Sequence, residues 1–405
     1  MTTPVRLAVV GGHRGGSFDA ALEVFRDRVT LTTVCDLDDR LLAQWESERP
    51  GIKTYSDYSQ VLDDPDIDAV LLATPMMLHA RQAIDALDSG KHVLSEVIAA
   101  TTLDECWELV EAVERTGLTY MMAENYCYRR ETMMVLNMAE QGLFGDLTFA
   151  EGAYIHDCRH LLFNDDGTRT WRGVAAEGIQ ISRANGYPTH SLGPAAQWLG
   201  INSSDRLLRT TTFVTKSASR HGYAAALLGA DHPEAQQKAW LDATDSASTL
   251  IETEHGRVIS LRKDSASPRP HNMTHYGLQG NAGAFISARH HGEDPLVWIE
   301  GMSPGSNLPE SSRQPEWQSL WALAAEYEHP RWAAHGDEAI AAGHGGGDFF
   351  VLEDFINAVL GEQAPAIDVY DAVTWSSITP LSAQSVSEGG TAVEVPDFRA
   401  GRARF

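Results

Sequence analysis

Short apolar runs alternate with amphipathic segments along the first third of the chain. The apolar runs predict strands at Val5 to Val10, Val29 to Cys35, Ala69 to Ala73, His92 to Leu94 and Thr119 to Met122. The segments between them predict helices at Phe18 to Asp27, Asp38 to Ser47, Leu78 to Ser89 and Leu103 to Thr116. Runs that are apolar at every position are typical of strands buried on both faces of a parallel sheet. The alternation therefore predicts a doubly wound α/β sheet.

The pattern changes after about Glu124, where the predicted strands become longer and more widely spaced. They are Leu147 to Ile155, Thr210 to Thr215, Ala247 to Glu252, Val258 to Arg262 and Tyr276 to Gln279. Helices are predicted at Thr132 to Gln141, Asp348 to Leu360 and Asp371 to Ser387. Such spacing favours an α+β domain with a large, mostly antiparallel, open-faced sheet. A chain of 405 residues also exceeds the usual size of a single core. We therefore predict one domain over residues 1–125 and a second over residues 126–405.

Composition excludes several classes of partner. The net charge of −25 argues against nucleic acid, which needs clustered basic side chains, and no apolar run is long enough to span a bilayer. The four cysteines form no CxxC pair, which fits a reducing compartment, so we expect a cytoplasmic protein. His271 and His275 have metal-ligand spacing, but they lie between a Pro-Arg-Pro segment and a strand pattern, so no metal site is expected.

A glycine-rich turn follows the first strand and reads Gly-Gly-His-Arg-Gly-Gly from Gly11 to Gly16. A dinucleotide fold needs glycine for the tight turn, for the approach to the pyrophosphate and for helix–strand packing. Gly11 and Gly16 fill the first and third roles, and His13 occupies the second. His13 or Arg14 then contacts the pyrophosphate directly; the alternative is that both are ordinary loop residues. Asp36 ends the second strand and favours NAD over NADP, because a carboxylate binds the ribose and repels a 2′-phosphate.

Residues 91–98 read Lys-His-Val-Leu-Ser-Glu-Val-Ile. This segment resembles the Lys-His-Val-Leu-Cys-Glu-Lys-Pro of NAD-dependent sugar dehydrogenases in the Gfo/Idh/MocA superfamily, except that Val97 replaces the lysine. That lysine steers proton movement beside the nicotinamide, so a hydrocarbon there argues against ordinary dehydrogenation.

Further motifs resemble one branch of this superfamily over nearly the whole chain, the NAD-dependent glycoside hydrolases known best as α-N-acetylgalactosaminidases. The segments are residues 104–110, 124–130, 141–145, 151–157, 187–194 and 343–346. The resemblance implies net hydrolysis with retention and a recycled NAD⁺. The route is transient oxidation at C3 of the sugar, C2 deprotonation, elimination of the aglycone, water addition and hydride return.

The resemblance also implies which side chains carry the chemistry. His190 matches the histidine beside the nicotinamide and would take a hydroxyl proton. Tyr128 and Tyr187 match tyrosines of the pocket, and one of them would deprotonate C2 if a cation from Arg129 or Lys263 depressed its pKa. The alternative is that either ring is only an aromatic wall.

Glu96 is expected near the nicotinamide ribose or the leaving oxygen. Residues Ala73 to Pro75 follow a strand and line the cofactor groove in this superfamily, with the turn into the next helix after them. The residues predicted to bind NAD are Gly11, Gly12, His13, Arg14, Gly15, Gly16, Asp36, Thr74, Pro75, His79, Glu96 and Asn125.

Arg262 and Lys263 distinguish this chain from the galactosaminidases, which carry small or neutral residues and a histidine there. Two cations beside a sugar pocket favour an anionic sugar. We therefore predict an α-sulfoquinovoside, the substrate of the related NAD-dependent sulfoquinovosidases. Alternate strand residues face opposite sides, so only one of the two need enter the pocket, and either could form a surface ion pair. His344 is expected in a loop over the substrate with Asp348 as a helix N-cap; the alternative is a plain turn.

Three competing functions remain open at this point. They are an α-N-acetylgalactosaminidase, a true NAD-dependent sugar dehydrogenase and a non-catalytic sugar-binding protein on the same fold. The expected partner is a small-molecule glycoside, with the open sheet buried in a homodimer or homotetramer.

Overall fold

A computed structural model of the protein describes residues 3–175, 183–237, 243–269, 274–308, 312 and 314–400. It divides into two compact units, which are described separately. The first contains Met1–Arg130, Pro330–Ser376 and Phe398–Phe405, and the second contains Glu131–His329 and Ser377–Asp397. The units are therefore not the two consecutive segments 1–125 and 126–405. Residues 330–376 return to the first unit, where the ring of Phe349 packs 4.8 Å from that of Phe25.

A six-stranded parallel sheet forms the core of the first unit. Its strands are β1 Val5–Val10, β2 Val29–Cys35, β3 Lys53–Tyr55, β4 Ala69–Leu72, β5 His92–Ser95 and β6 Tyr120–Met122. Their order is β3-β2-β1-β4-β5-β6, which places the topological switch point between β1 and β4. Only β3 escaped the sequence pattern, because it is a three-residue edge strand that reads Lys-Thr-Tyr and is not buried.

The helices of the first unit up to Thr116 are α1 Gly12–Gly15, α2 Asp19–Val24, α3 Asp39–Glu48, α4 Tyr58–Asp63, α5 His79–Asp88 and α6 Leu103–Thr116. Four of them, α2, α3, α5 and α6, agree with the predicted helices to within three residues, whereas the short helices α1 and α4 were not predicted. In α6, Thr102 and Glu105 form a reciprocal capping box and Gly117 ends the helix in a left-handed conformation. The later helices are numbered in chain order after those of the second unit.

A nine-stranded sheet forms the second unit. Its strands are β7 Leu147–Ile155, β8 Leu207–Val214, β9 Ser246–Thr253, β10 Val258–Asp264, β11 Thr274–Gly280, β12 Gly283–Ile286, β13 Leu296–Ile299, β14 Gln318–Ser319 and β15 Val393–Glu394. Their order is β14-β13-β12-β11-β7-β10-β9-β8-β15. Among these described strands, β7 and β10 pair in parallel and the other neighbours pair antiparallel. The predicted class, a Rossmann sheet plus a large and mostly antiparallel sheet, is confirmed.

The remaining described helices are α7 Arg130–Glu140, α8 Trp171–Ala175, α9 Thr189–Trp198, α10 Ser219–Leu228, α11 Ala324–Tyr327, α12 Pro330–Ala341, α13 Gly347–Val359 and α14 Val369–Ser387. No helix in the described ranges is both long and apolar enough to cross a membrane. His271 lies outside the described residues. Within them, no cluster of three or more His, Cys, Asp or Glu side chains is arranged to hold a metal ion.

Gly152 fixes how closely β7 approaches α9. A Cβ at this position would lie 1.9 Å from the backbone oxygen of Ser191, so no other residue fits without moving the helix. We expect Gly152→Ala to lower the free energy of unfolding by about 2–3 kcal/mol, as overpacking does in other cores, measured by urea denaturation. The matched control is Gly222→Ala in α10, where the added carbon meets nothing within 4 Å. The control should be neutral or stabilising by up to about 1 kcal/mol. Equal effects of the two changes would contradict this account.

Candidate active site

The predicted cofactor residues gather at the carboxyl edge of the parallel sheet. Gly11 follows β1, Asp36 follows β2, Thr74 comes shortly after β4, Glu96 follows β5 and Asn125 comes shortly after β6. Ligands of open α/β sheets bind at this edge, beside the switch point. The structure thus brings together, within the first unit, residues that are far apart in sequence.

The glycine-rich turn has the close contacts that a dinucleotide fold requires. Gly11 has a φ of 93°, and a Cβ there would lie 2.5 Å from the backbone oxygen of Ala73. A Cβ on Gly15 would lie 2.2 Å from Cγ1 of Val9 in β1. Gly15 therefore takes the helix–strand packing role that the sequence assigned to Gly16. The cradle fits a pyrophosphate, because no side chain narrows it at these positions.

Asp36 ties this turn to the second strand. Its carboxylate accepts hydrogen bonds from the backbone N–H of Gly12 at 2.8 Å and of Asp38 at 3.0 Å. Its place at the end of β2 is the one expected for a ribose ligand, and that contact stays a prediction. His13 is exposed, as its alternative interpretation as an ordinary loop residue requires.

A cation from the glycine-rich turn lies beside Glu96. The Arg14 guanidinium forms an ion pair with the Glu96 carboxylate and donates to the Ser17 hydroxyl. The other Glu96 oxygen accepts from the backbone N–H of Val97 at 3.3 Å. Val97 itself is only 4% exposed. Positive charge is therefore present beside Glu96, although residue 97 carries none.

His79 supports the Thr74–Pro75 turn from inside the protein. Its ring nitrogens lie 2.9 Å from the Ile98 carbonyl oxygen and 2.8 Å from the Thr74 carbonyl oxygen. Burial lowers the pKa of this imidazole, while the two carbonyl contacts act in the opposite direction. With both nitrogens occupied by backbone, His79 positions the turn and has no ring atom left for direct contact with NAD.

Tyr128 is buried in the first unit, and its surroundings differ from those expected. Arg129 stacks on Tyr126 instead, with its guanidinium carbon 3.7 Å from that ring's centroid. The cation near Tyr128 is Arg331, at 5.8 Å from the ring centroid. Burial and the Asp354 carboxylate raise the pKa of the Tyr128 phenol well above its ordinary value. The expectation of a depressed phenol is therefore wrong for Tyr128, and this residue is a poor candidate for the C2 base.

His344 belongs to a hydrogen-bonded chain within the first unit. Its Nδ1 lies 2.6 Å from the Asp348 carboxylate, whose other oxygen accepts from the Asn125 side-chain amide at 2.9 Å. The N-cap of α13 is Gly346 and not Asp348, which lies in the first turn. The predicted N-cap is therefore wrong, because the Asp348 carboxylate is committed to His344 and Asn125.

Three aromatic rings surround one point on the second sheet. The His190 ring lies 5.1 Å from the rings of both Tyr187 and Tyr154, measured between centroids. The Tyr154 hydroxyl bonds to Nδ1 of His156 at 2.9 Å. Tyr276 donates its hydroxyl to the His190 backbone oxygen at 2.5 Å, which fixes the start of α9. Sequence reasoning gave no role to Tyr154, which lies in β7, or to His156, which directly follows that strand.

Arg262 and Lys263 point to opposite faces of β10. Lys263 is buried and pairs in register with Tyr154 of β7, so both side chains leave the sheet on the same face. Arg262 is exposed and its guanidinium lies 3.4 Å from the Asp264 carboxylate. Of the two cations, only Lys263 therefore shares a face with Tyr154, and its entry into a substrate pocket stays a prediction.

Two family models cover almost the whole chain. One, described as the C-terminal domain of glycosyl hydrolase 109, matches residues 128–404. The chain belongs to glycosyl hydrolase family 109. The other model, an oxidoreductase family with an NAD-binding Rossmann fold, matches residues 5–124. As a member of family 109 the protein is a glycosidase that depends on NAD, and the predicted family and cofactor are confirmed.

Relatives of known family agree with this placement. A glycosyl hydrolase family 109 protein of Stenotrophomonas maltophilia is 35% identical, with 98% of this chain and 89% of the relative covered. An α-N-acetylgalactosaminidase of Shewanella oneidensis is also 35% identical, with 98% and 85% covered. Among solved structures, the apo form of levoglucosan dehydrogenase superposes with a TM-score of 0.75 at 18% identity, over 98% of this chain and 100% of the other. At that identity the likeness concerns the fold.

Proposed function

We propose that this family 109 member hydrolyses α-sulfoquinovosides with retention, through transient oxidation at C3 of the sugar and elimination of the aglycone across C1 and C2. The observation that carries the proposal is the grouping on the second sheet. There the His190 ring packs against Tyr154 and Tyr187, and the buried Lys263 is the register neighbour of Tyr154. Proton-transfer groups and a cation thus share one face.

His190 is the group that takes the proton from the C3 hydroxyl. Imidazole changes its charge near neutral pH, which suits a base that must later return the same proton. Two aromatic neighbours and the hydrogen bond from Tyr276 to its backbone oxygen hold the ring in place. A bound NAD⁺ would supply the hydride acceptor and donor that transient oxidation at C3 needs. The residues that would hold it are those of the Gly11–Gly16 turn together with Asp36 and Asn125.

Tyr187 is the preferred base for the C2 proton. It is partly exposed and touches His190, whereas the Tyr128 phenol is buried and its pKa is raised. Oxidation at C3 acidifies the C2 proton, and a phenolate held near the ring would remove it. Departure of the aglycone then needs no pair of opposed carboxylates.

Lys263 supports an anionic sugar over an acetamido sugar, because a buried ammonium is better matched by a sulfonate than by a neutral amide. The second candidate is an α-N-acetylgalactosaminidase. The observation that favours it is the relative of that name in Shewanella oneidensis. Ordinary dehydrogenation is disfavoured by Val97, although Arg14 supplies charge nearby.

The isotope fate of C2 tests the route. With catalytic NAD⁺ in D₂O, we expect aryl α-sulfoquinovoside to release sulfoquinovose that carries deuterium at C2, measured by NMR, with no net NADH at 340 nm. The aryl α-glycoside of N-acetylgalactosamine is the parallel substrate. Release without deuterium would exclude the elimination route, stoichiometric NADH would indicate a dehydrogenase, and turnover of the acetamido sugar alone would support the second candidate.

A further inference from the structure

Two buried cations of the second unit lie close enough to influence each other electrostatically, and sequence reasoning singled out only one of them. Lys263 lies at the end of β10 and Arg220 in the first turn of α10. Each side chain belongs to a residue that is only 6% exposed. Ala224, one turn further along α10, packs in a small apolar cluster with Leu162 and Phe163, so the helix that carries Arg220 is anchored. Lys and Arg are almost never so buried without a partner.

Neither cation is neutralised by direct contact within the described part of the chain. Nη2 of Arg220 donates to the Ser265 hydroxyl at 3.0 Å, while its buried Nη1 has no acceptor among the described residues. The Lys263 ammonium likewise makes no hydrogen bond or ion pair there. A buried donor without an acceptor is energetically costly, and more so when it is charged, so such a group calls for a partner such as a ligand.

The two nearby carboxylates are already occupied by backbone groups. Asp245 accepts from the N–H of Ala218 and of Ser219 at 2.8 Å each, and so caps the start of α10. One oxygen of Asp264 accepts from the N–H of Ala266 at 3.2 Å and of Ser267 at 3.0 Å. The negative charges of these two acids lower the cost of burying the two cations. They make no hydrogen bond to Nη1 of Arg220 or to the Lys263 ammonium within the described ranges, so both donors stay available.

We propose that Arg220 and Lys263 together bind the single anionic group of the substrate, a sulfonate or a carboxylate, with Nη1 of Arg220 as a direct donor. The inference rests on the proposed function, since it assigns the substrate class to that same site. Lys263 is the register neighbour of Tyr154, so the anion lies beside the aromatic group that holds the sugar. A guanidinium and an ammonium fit a tetrahedral sulfonate or a planar carboxylate, whereas an acetamido group would leave both charges unmatched.

Binding at this pair should take up a proton. Burial and the neighbouring Arg220 lower the pKa of Lys263 to about 7, with Cys158, Asp264 and Asp245 acting in the opposite direction. On the adjacent strands its register neighbours are Tyr154 and Ala247, the second of which carries no charge. At pH 8 the free amine is therefore mostly neutral, and an arriving anion favours the ammonium form. Affinity for the anion should fall as the pH rises above 7, and binding at pH 8 should consume on the order of one proton per site.

Calorimetric titration with free sulfoquinovose and with glucose tests the assignment. The wild-type protein, loaded with NAD⁺, is titrated at pH 8 in Tris and in imidazole chloride, which differ in ionisation enthalpy and contain no competing sulfonate or phosphate. For sulfoquinovose we expect a binding enthalpy that differs between the two buffers, which reports proton uptake. For glucose we expect the same binding enthalpy in both buffers. Arg220→Gln should weaken sulfoquinovose binding on the order of 10- to 100-fold. Lys263→Met should abolish the proton uptake.

Arg262→Gln is the matched control, because Arg262 is an exposed arginine on the opposite face of the same strand and should change binding by less than about threefold. Arg220→Lys, which retains a charge, guards against misfolding and should recover part of the affinity. Equal effects of the Arg220 and Arg262 changes, or proton uptake that survives Lys263→Met, would overturn the assignment. Its failure is distinct from that of the proposed function. If the product carries deuterium at C2 but Arg220→Gln does not weaken sulfoquinovose binding, only the assignment of Arg220 and Lys263 is rejected. If binding takes up a proton and depends on Arg220 but the product carries no deuterium at C2, only the elimination route is rejected.

Discussion

The change His190→Asn should lower the rate of α-glycoside hydrolysis by about 10³-fold while it changes sugar affinity by only a few-fold. General acid–base groups typically contribute about 10²- to 10⁴-fold, and the effect appears in kcat because the proton moves only in the reacting complex. Asparagine approximates the outline of the imidazole and preserves the packing against Tyr154 and Tyr187, but it cannot carry a proton.

The measurement pairs initial rates of aryl release with calorimetric binding of the free sugar. His255→Asn is the control, because His255 is an exposed histidine of the same unit. It should leave both quantities within about twofold of wild type, as surface changes usually do. A rate loss of less than about tenfold in His190→Asn would remove this residue from the role of base.

Gly11→Ala should lower the stability of the first unit and also weaken NAD binding. Gly51→Ala should lower the stability of that unit but leave NAD binding unchanged. The two glycines have nearly the same backbone conformation, with φ of 93° and 96°. They differ in surroundings, since a Cβ at Gly11 would lie 2.5 Å from the Ala73 oxygen and one at Gly51 would meet nothing within 4 Å. Left-handed backbone alone costs a residue with a side chain roughly 1–2 kcal/mol, and a clash with backbone adds about 1–3 kcal/mol.

We therefore expect the free energy of unfolding to fall by about 2–5 kcal/mol in Gly11→Ala and by about 1–2 kcal/mol in Gly51→Ala, measured in urea without cofactor. In a parallel titration NAD affinity should fall by at least about tenfold in Gly11→Ala alone, because the displaced backbone lines the pyrophosphate cradle. If Gly51→Ala weakened NAD binding as much as Gly11→Ala, the loss would come from general instability and not from the turn.

Much of the fold followed from the hydrophobic pattern, because long or fully buried elements leave a strong periodic signal. The strand at Leu147–Ile155 and the helix at Leu103–Thr116 match their predicted bounds. Short strands at the edge of a sheet leave no such signal and were not predicted, as β3, β14 and β15 illustrate. The return of residues 330–376 to the first unit also left no local signal, since it depends on tertiary packing such as that of Phe349 on Phe25.

The role of a residue in the candidate active site could be predicted where a sequence motif determines it. It could not be predicted where the role depends on neighbours that are close only in the folded protein. The placement of the glycine-rich turn and Asp36 followed from spacing, but the choice of Gly15 over Gly16 depends on the position of Val9. The absence of a lysine at Val97 was visible in the sequence, whereas the ion pair between Arg14 and Glu96 was not. Arg220 is one arginine among many until α10 places it beside Lys263, and Tyr128 could be separated from Tyr187 only by its burial.

The parallel pairing of β7 with β10 affects how this enzyme can change its specificity. Both strands end at the same edge, and the pairing continues beyond them through the backbone hydrogen bonds from His156 to Asp264 and from Cys158 to Ser265. The segments that carry Cys158 and Ser265 therefore start side by side from a rigid base. Insertions or exchanges in these two loops would reshape substrate recognition without moving Tyr154 or Lys263. Directed evolution toward other glycosides should therefore begin with libraries in these loops and leave the sheet unchanged.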